Sequence, residues 1–233
     1  MKPDQLPLAM RWSAQQRFET FFAGDNGAAL DLARRAVTDA DAPWVFVSGA
    51  AASGKTHLLI AACAAATAAG RRAQYLTLRN LPDAAPDAIR ALGGSDLLAL
   101  DDLDAIAGRR EAEHALFDLY NRGKVEKYAF LFAASRAPAQ LGIGLPDLAS
   151  RLSACAQAPL KPLDDAARRE VLRARAAARG IELDDAVLDW LFARTGRDLA
   201  SLIALLDRLD RESLAQKRRV TVPFLRMLLG GPA

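Results

Sequence analysis

Hydrophobic positions change rhythm once along this chain. Four short, nearly unbroken apolar runs come first, at 44–48, 74–78, 97–100 and 129–135, with a fifth candidate at 154–158. Runs of this length without polar alternation are the pattern of strands buried on both faces. Between them lie stretches with helical spacing, at 28–38, 56–69 and 112–120. Strand alternating with helix predicts a parallel sheet with right-handed crossovers and helices on both faces. After Pro159 and Pro162 the strand pattern stops, and amphipathic helices follow. The first covers 165–179 and ends at Gly180. The second starts from an Asp184 cap and carries Val187, Leu188, Leu191 and Phe192. The third carries Leu199, Leu202, Ile203, Leu206 and Leu209, and the last, capped by Thr221, carries Phe224, Leu225 and Leu228. The reading has three parts: an extended tail over 1–17, an α/β domain over 18–160, and a small helical subdomain over 161–233.

Composition refines this only slightly. A chain of 233 residues, 52% hydrophobic and 25% charged, suits one α/β domain plus an appendage. The net charge is +3, and the arginines are interleaved with acids, as in Arg168-Arg169-Glu170. The clearest basic cluster, Lys217-Arg218-Arg219, is short. Solvated helix faces account for this pattern better than a DNA-binding surface does. Cys63 and Cys155 show neither ligand spacing nor a disulfide framework, which points to a reducing compartment. With only His57 and His114 in the chain, a histidine-rich metal site is excluded. The N-terminus lacks a signal-peptide core, and the Ala-rich run 58–69 is too short and too weakly apolar to span a bilayer. A cytoplasmic protein without membrane contact is expected.

The chemistry is concentrated in one loop. Gly49-Ala50-Ala51-Ala52-Ser53-Gly54-Lys55-Thr56 fits G-x-x-x-x-G-K-[ST] in full, between a predicted strand and a predicted helix. Its backbone N–H groups and the helix N-terminus would cradle the phosphates of a purine nucleotide. Lys55 would reach the β- and γ-phosphates, and the Thr56 hydroxyl would hold Mg²⁺. Downstream, Leu97-Leu98-Ala99-Leu100 ends in Asp101-Asp102. Asp101 would hold Mg²⁺ through water, and Asp102 would orient or deprotonate an attacking water. Weaker signals follow. Ser135 and Arg136, at the end of the next strand, could sense a γ-phosphate or simply close the strand. Arg151, in Pro146-Asp147-Leu148-Ala149-Ser150-Arg151-Leu152, could be an arginine finger or a surface arginine. Arg197 could reach the phosphates from the helical subdomain. Gln5-Leu6-Pro7-Leu8 could dock in a partner's groove as an extended peptide, or be an unstructured tail.

Taken together, these residues resemble the AAA+ domain of the DnaA family. The resemblance is carried by the P-loop continuing into His57-Leu58, by Asp101-Asp102, by Leu145-Pro146-Asp147-Leu148-Ala149-Ser150-Arg151-Leu152, and by Arg17-Phe18-Glu19-Thr20-Phe21 with Gly24-Asp25-Asn26. It implies an αβα sandwich with a five-stranded parallel sheet and a helical lid. It implies nucleotide contacts at Gly49, Ala52, Ser53, Gly54, Lys55, Thr56, His57, Ser135 and Arg197, with Phe22 and Asn26 where the adenine pocket begins. The chain is most similar to the branch that regulates DnaA. In that branch the C-terminal DNA-binding domain is absent, and a tail such as Gln5, Leu6 and Leu8 binds the sliding clamp of the replicative polymerase. The regulator, bound to the DNA-loaded clamp, promotes hydrolysis of ATP on DnaA, and Arg151 matches the finger acting in trans. ADP or ATP with Mg²⁺, contact with DNA only through the clamp, and a homodimer are implied. Two departures, Ala52 where glycine is usual and Arg136-Ala137-Pro138 at sensor 1, point to weak or no ATPase activity of its own. An autonomous AAA+ ATPase such as a helicase loader, and a competitor that merely occupies DnaA, remain open on the residues alone.

Overall fold

The computed structural model describes residues 12–229, apart from 14, 82, 195–198 and 217–220. It divides into two compact units, with the break between Lys161 and Pro162.

In the first unit the strands are β1 (Val45–Ser48), β2 (Ala73–Thr77), β3 (Leu97–Asp101), β4 (Ala129–Ala134) and β5 (Ala156–Pro159). They form one parallel sheet in the order β2-β3-β4-β1-β5. Its helices are α1 (Gly27–Thr38), α2 (Lys55–Ala68), α3 (Ala85–Ala91), α4 (Arg110–Glu126) and α5 (Pro146–Ser153). Alternation along the central strands sorts side chains to two faces. Val45, Val47, Leu97, Ala99, Leu131 and Ala133 pack under α1 and α2. Phe46, Leu98, Leu100, Phe130 and Phe132 pack under α3, α4 and α5. Both faces are covered, which explains why the central strands read as apolar runs.

Each predicted strand is present, shifted by a residue or two. Helix α4 runs six residues past the predicted 112–120, through Asn121-Arg122-Gly123-Lys124-Val125-Glu126. Gly123 sits inside the helix, with the Phe130 ring in the space a Cβ would need. The helix ends at Lys127, which takes a left-handed φ of 58°. Helix α3, opened by Pro86, carries no strong periodicity and was not foreseen. Within the expected tail, the Trp12 indole N–H donates to Thr67 Oγ1 on α2 (2.9 Å). Gln5, Leu6 and Leu8 lie outside the described residues.

The second unit is helical: α6 (Asp165–Ala177), α7 (Asp185–Arg194), α8 (Leu199–Gln216) and α9 (Val222–Leu229). Asp164 caps α6 by accepting from the Ala167 N–H (2.7 Å), and Asp184 caps α7 through the Val187 N–H (2.7 Å). Leu172, Val187, Leu188, Leu191, Leu202, Leu206, Leu209 and Leu225 form its core. No helix of the described residues is long and apolar enough to cross a membrane.

Candidate functional site

Strand β1 delivers the loop 49–56 to the C-terminal edge of the sheet, where ligand crevices of open α/β folds lie. Two glycines are required there. A Cβ on Gly49 would stand 2.7 Å from Ser53 Oγ and 2.9 Å from the Leu160 carbonyl oxygen, and one on Gly54 would stand 2.9 Å from the Phe21 ring. Gly54 also has φ +102°, closed to most side chains. Ala52 adopts a left-handed φ of 58° without being glycine. The backbone form of the loop survives at that position at a cost of about 1 kcal/mol.

Three polar side chains of the loop bear on the site: Lys55, Ser53 and Thr56. The Lys55 ammonium donates to the carbonyls of Gly49 (2.7 Å) and Ala50 (2.8 Å). Burial lowers its pKa, opposed by the carboxylates of Asp101, Asp104 and Asp102. Ser53 Oγ is buried with no hydrogen-bond partner. Thr56 Oγ1 donates to Asp101 Oδ2 (2.6 Å), so the hydroxyl and carboxylate oxygens stand together, as a shared Mg²⁺ needs. Asp101 is fully buried at the end of β3. Its Oδ2 also accepts from the Tyr75 hydroxyl (3.0 Å), and its Oδ1 accepts from the Asp102 N–H (2.8 Å). Burial and the Asp101 charge together raise the Tyr75 pKa, so it remains a donor. The orphan Ser53 hydroxyl, the glycine cradle and the Thr56–Asp101 pair fit a nucleotide–Mg²⁺ complex.

Beside the loop lies a cavity of about 390 Å³ lined by Ala51, Lys55, Arg79, Asp102, Asp104, Ala105 and Ser135. Asp102, at a left-handed φ of 59°, accepts from Thr77 Oγ1 (2.9 Å) and pairs with Arg79 (2.7 Å). This pairing raises the Arg79 pKa. Ser135 donates its N–H to Asp104 Oδ2 (2.8 Å) and its hydroxyl to Asp104 Oδ1. Arg79, Asp104 and Tyr75 were not foreseen from sequence. For Arg79 and Asp104 the available signal was their position just beyond strand ends on the loop's side of a parallel sheet; Tyr75 lies mid-strand in β2, and only its pairing beside β3 brings it to Asp101.

Three predicted positions are engaged elsewhere in the unit. His57 Nε2 lies 2.9 Å from the Arg17 carbonyl, and its ring meets Phe21 edge-on at 5.3 Å. Asn26 pairs with the Lys161 backbone in both directions, donating at 3.1 Å and accepting at 2.7 Å. Arg151, in the last turn of α5, reaches back onto α4. It lies over Phe117 (4.5 Å) and Tyr120 (5.4 Å) and donates to Asn121 Oδ1. Five residues later Ala156 pairs with Val45, the first residue of β1, and Tyr120 packs on Trp44 just before it. Arg151 therefore sits toward the N-terminal edge of the sheet, and the P-loop sits at the C-terminal edge. Phe22 and Arg136 are exposed. Arg197 lies outside the described residues.

A P-loop strand between β4 and β5, with the acidic strand β3 one place further out, is the arrangement of AAA+ P-loop proteins, and here a helical lid follows. The bacterial DnaA ATPase domain model matches residues 13–158. The chain belongs to that family, as a DnaA-related AAA+ protein. Its second unit matches the Hda lid domain over residues 165–229. Among solved structures, domain III of the Thermotoga maritima replication initiation protein DnaA is similar at TM-score 0.80 and 21% identity, over 94% of this chain and 98% of that one. AMPPCP-bound DnaA from Aquifex aeolicus gives TM-score 0.70 and 21% identity, over 85% and 66%. The Thermotoga maritima RuvB branch migration motor gives TM-score 0.64 and 16% identity, over 89% and 69%. At these identities the likeness is one of fold.

Proposed function

We propose that this protein is a nucleotide-bound regulator of replication initiation that presents Arg151 to ATP held by DnaA and so promotes its hydrolysis. The observation that carries the reading is the place of Arg151. It stands toward the sheet edge opposite its own P-loop, and β1 alone spans about 10 Å between the two. A guanidinium there serves a nucleotide held by another molecule. The cation is delivered on a short helix and held over Phe117 by Asn121, so its direction is set before an encounter.

The site 49–56 binds ADP or ATP with Mg²⁺ in this reading, and the bound Mg²⁺ supplies charge neutralisation between phosphate oxygens. The loop amides, Ser53 and Lys55 bind the phosphates, and Thr56 and Asp101 hold the cation. Ser135, Phe22, Asn26 and His57 complete the surroundings of the nucleotide, the last two by fixing the backbone around it. Asp102 is already engaged by Arg79 and Thr77, which supports weak turnover of the protein's own nucleotide. The Hda lid match supports the regulatory branch over a helicase loader. The protein acts as a homodimer on the DNA-loaded sliding clamp, held through Gln5, Leu6 and Leu8, and meets DNA only through the clamp.

The clamp assignment is tested by pull-down on purified sliding clamp. Gln5→Ala combined with Leu6→Ala loses binding and, with it, clamp-dependent stimulation of DnaA. Binding retained by the double variant would remove the tail from the mechanism.

A further inference from the structure

Glu113 is 2% exposed, yet no ion pair to it is found among the described residues. Its carboxylate accepts three backbone N–H groups instead. Oε1 takes those of Gly108 (2.7 Å) and Gly144 (2.9 Å), and Oε2 takes that of Leu145 (2.8 Å). A buried carboxylate satisfied in this way is held in one geometry, because losing any of the three bonds leaves a buried polar group unpaired. The donors come from two separate segments. Gly108 ends the loop that starts at Asp102 and carries Asp104, both lining the nucleotide cavity. Gly144 and Leu145 are the two residues before α5, and Leu145 is its N-cap position.

Glu113 lies one turn before Phe117 and two turns before Asn121 on α4. Residues at i, i+4 and i+8 share one helix face. One face of α4 therefore grips α5 at both ends: Glu113 holds its start, and Phe117 with Asn121 hold the Arg151 guanidinium near its end. Leu148, between them, is fully buried. Helix α5 has only eight residues and cannot set its own direction.

We propose that Glu113 is a positioning residue for Arg151: by fixing the N-terminus of α5 to the loop bordering the nucleotide cavity, it aims the arginine presented to a second molecule. This rests on the reading of Arg151 as a finger acting in trans. The isosteric change Glu113→Gln keeps one carbonyl oxygen; placed at the Oε1 position it still serves Gly108 and Gly144, and the N–H₂ then faces the Leu145 N–H, which loses its acceptor.

The test uses the full chain with ADP, DnaA–ATP and clamp-loaded DNA. For Glu113→Gln, the maximal rate of stimulated phosphate release falls roughly 10- to 100-fold, as expected for a slightly misplaced catalytic group. Half-saturating concentration and ADP affinity stay near wild type, whereas a purely structural defect would degrade both. In the isolated protein, amide exchange at Leu145 speeds up roughly tenfold or more through loss of its buried acceptor. Glu113→Asp keeps the charge but withdraws the carboxylate by one methylene, and it supplies the same comparison if the Gln variant fails to fold. Unchanged exchange at Leu145 overturns the assignment. So does unchanged stimulation when Arg151→Ala abolishes it. Full stimulation by Arg151→Ala overturns the finger reading, and the role of Glu113 with it.

Discussion

At the scale of single residues, the site is decided by who holds which carboxylate oxygen. Asp101 is saturated by Thr56, Tyr75 and its neighbour's N–H, as suits a cation ligand held in place. Asp102 is tied to Arg79 and Thr77. The Arg79 side chain is 72% exposed, so the pair contributes little to stability, about 0–1 kcal/mol. Its consequence is chemical: with Arg79 on Oδ1 and Thr77 on Oδ2, Asp102 has fewer lone pairs left for a water. Arg79→Ala is expected to raise the protein's own ATP turnover several-fold with no large change in melting temperature. Turnover that stays flat or drops in a steady-state phosphate assay would contradict this. The residue pattern made Lys55, Thr56 and Asp101 legible, because the mechanism demands those types at fixed spacing. Arg79 and Asp104 were not legible. They enter the cavity from other strand ends, and only the sheet order brings them beside the loop.

At the scale of elements, periodicity located the strands because both faces of the sheet are covered. It failed where packing overrides local preference. Gly123 in α4 is such a position: helix propensity would favour alanine there by about 1 kcal/mol. The Phe130 ring fills the space instead, and Phe130 is fully buried and stacked on Phe132 at 5.1 Å. Overpacking a rigid core costs about 1–3 kcal/mol. Gly123→Ala should therefore destabilise the protein despite its better propensity, and chemical denaturation measures the sign. Net stabilisation would mean that the aromatic stack yields easily. Asn26 is expected, by resemblance, where an adenine pocket begins, and the sequence does not reveal what it touches. Its amide closes both hydrogen bonds with the Lys161 backbone, across 135 residues of sequence.

At the scale of the whole molecule, a ligand that binds only the folded chain adds stability by mass action. If the loop 49–56 holds ADP with Mg²⁺ as proposed, a hundredfold excess over the Kd contributes about 2.7 kcal/mol. For a chain of this size that is a melting shift of roughly 5–10 °C. Lys55→Ala should abolish the shift, and a Lys55→Ala protein that still responds would move the nucleotide away from 49–56. The lid unit was legible as helices from its caps and leucine spacing: Asp184 and Thr221 cap as read, and Asp164 adds a cap the sequence reading did not name. The direction of Arg151 was not. Its motif suggested a finger, but only the pairing of β5 with the start of β1 separates it from its own P-loop.

As proposed, the arginine on α5 works on a nucleotide bound elsewhere. Single-turnover phosphate release from DnaA–ATP, with clamp-loaded DNA and either the native protein or Arg151→Ala, tests it most directly. An arginine finger is worth on the order of 10³-fold or more in rate. Arg151→Ala is expected to lose stimulation on that scale while still binding ADP. Stimulation by Arg151→Ala equal to that of the native protein would contradict it.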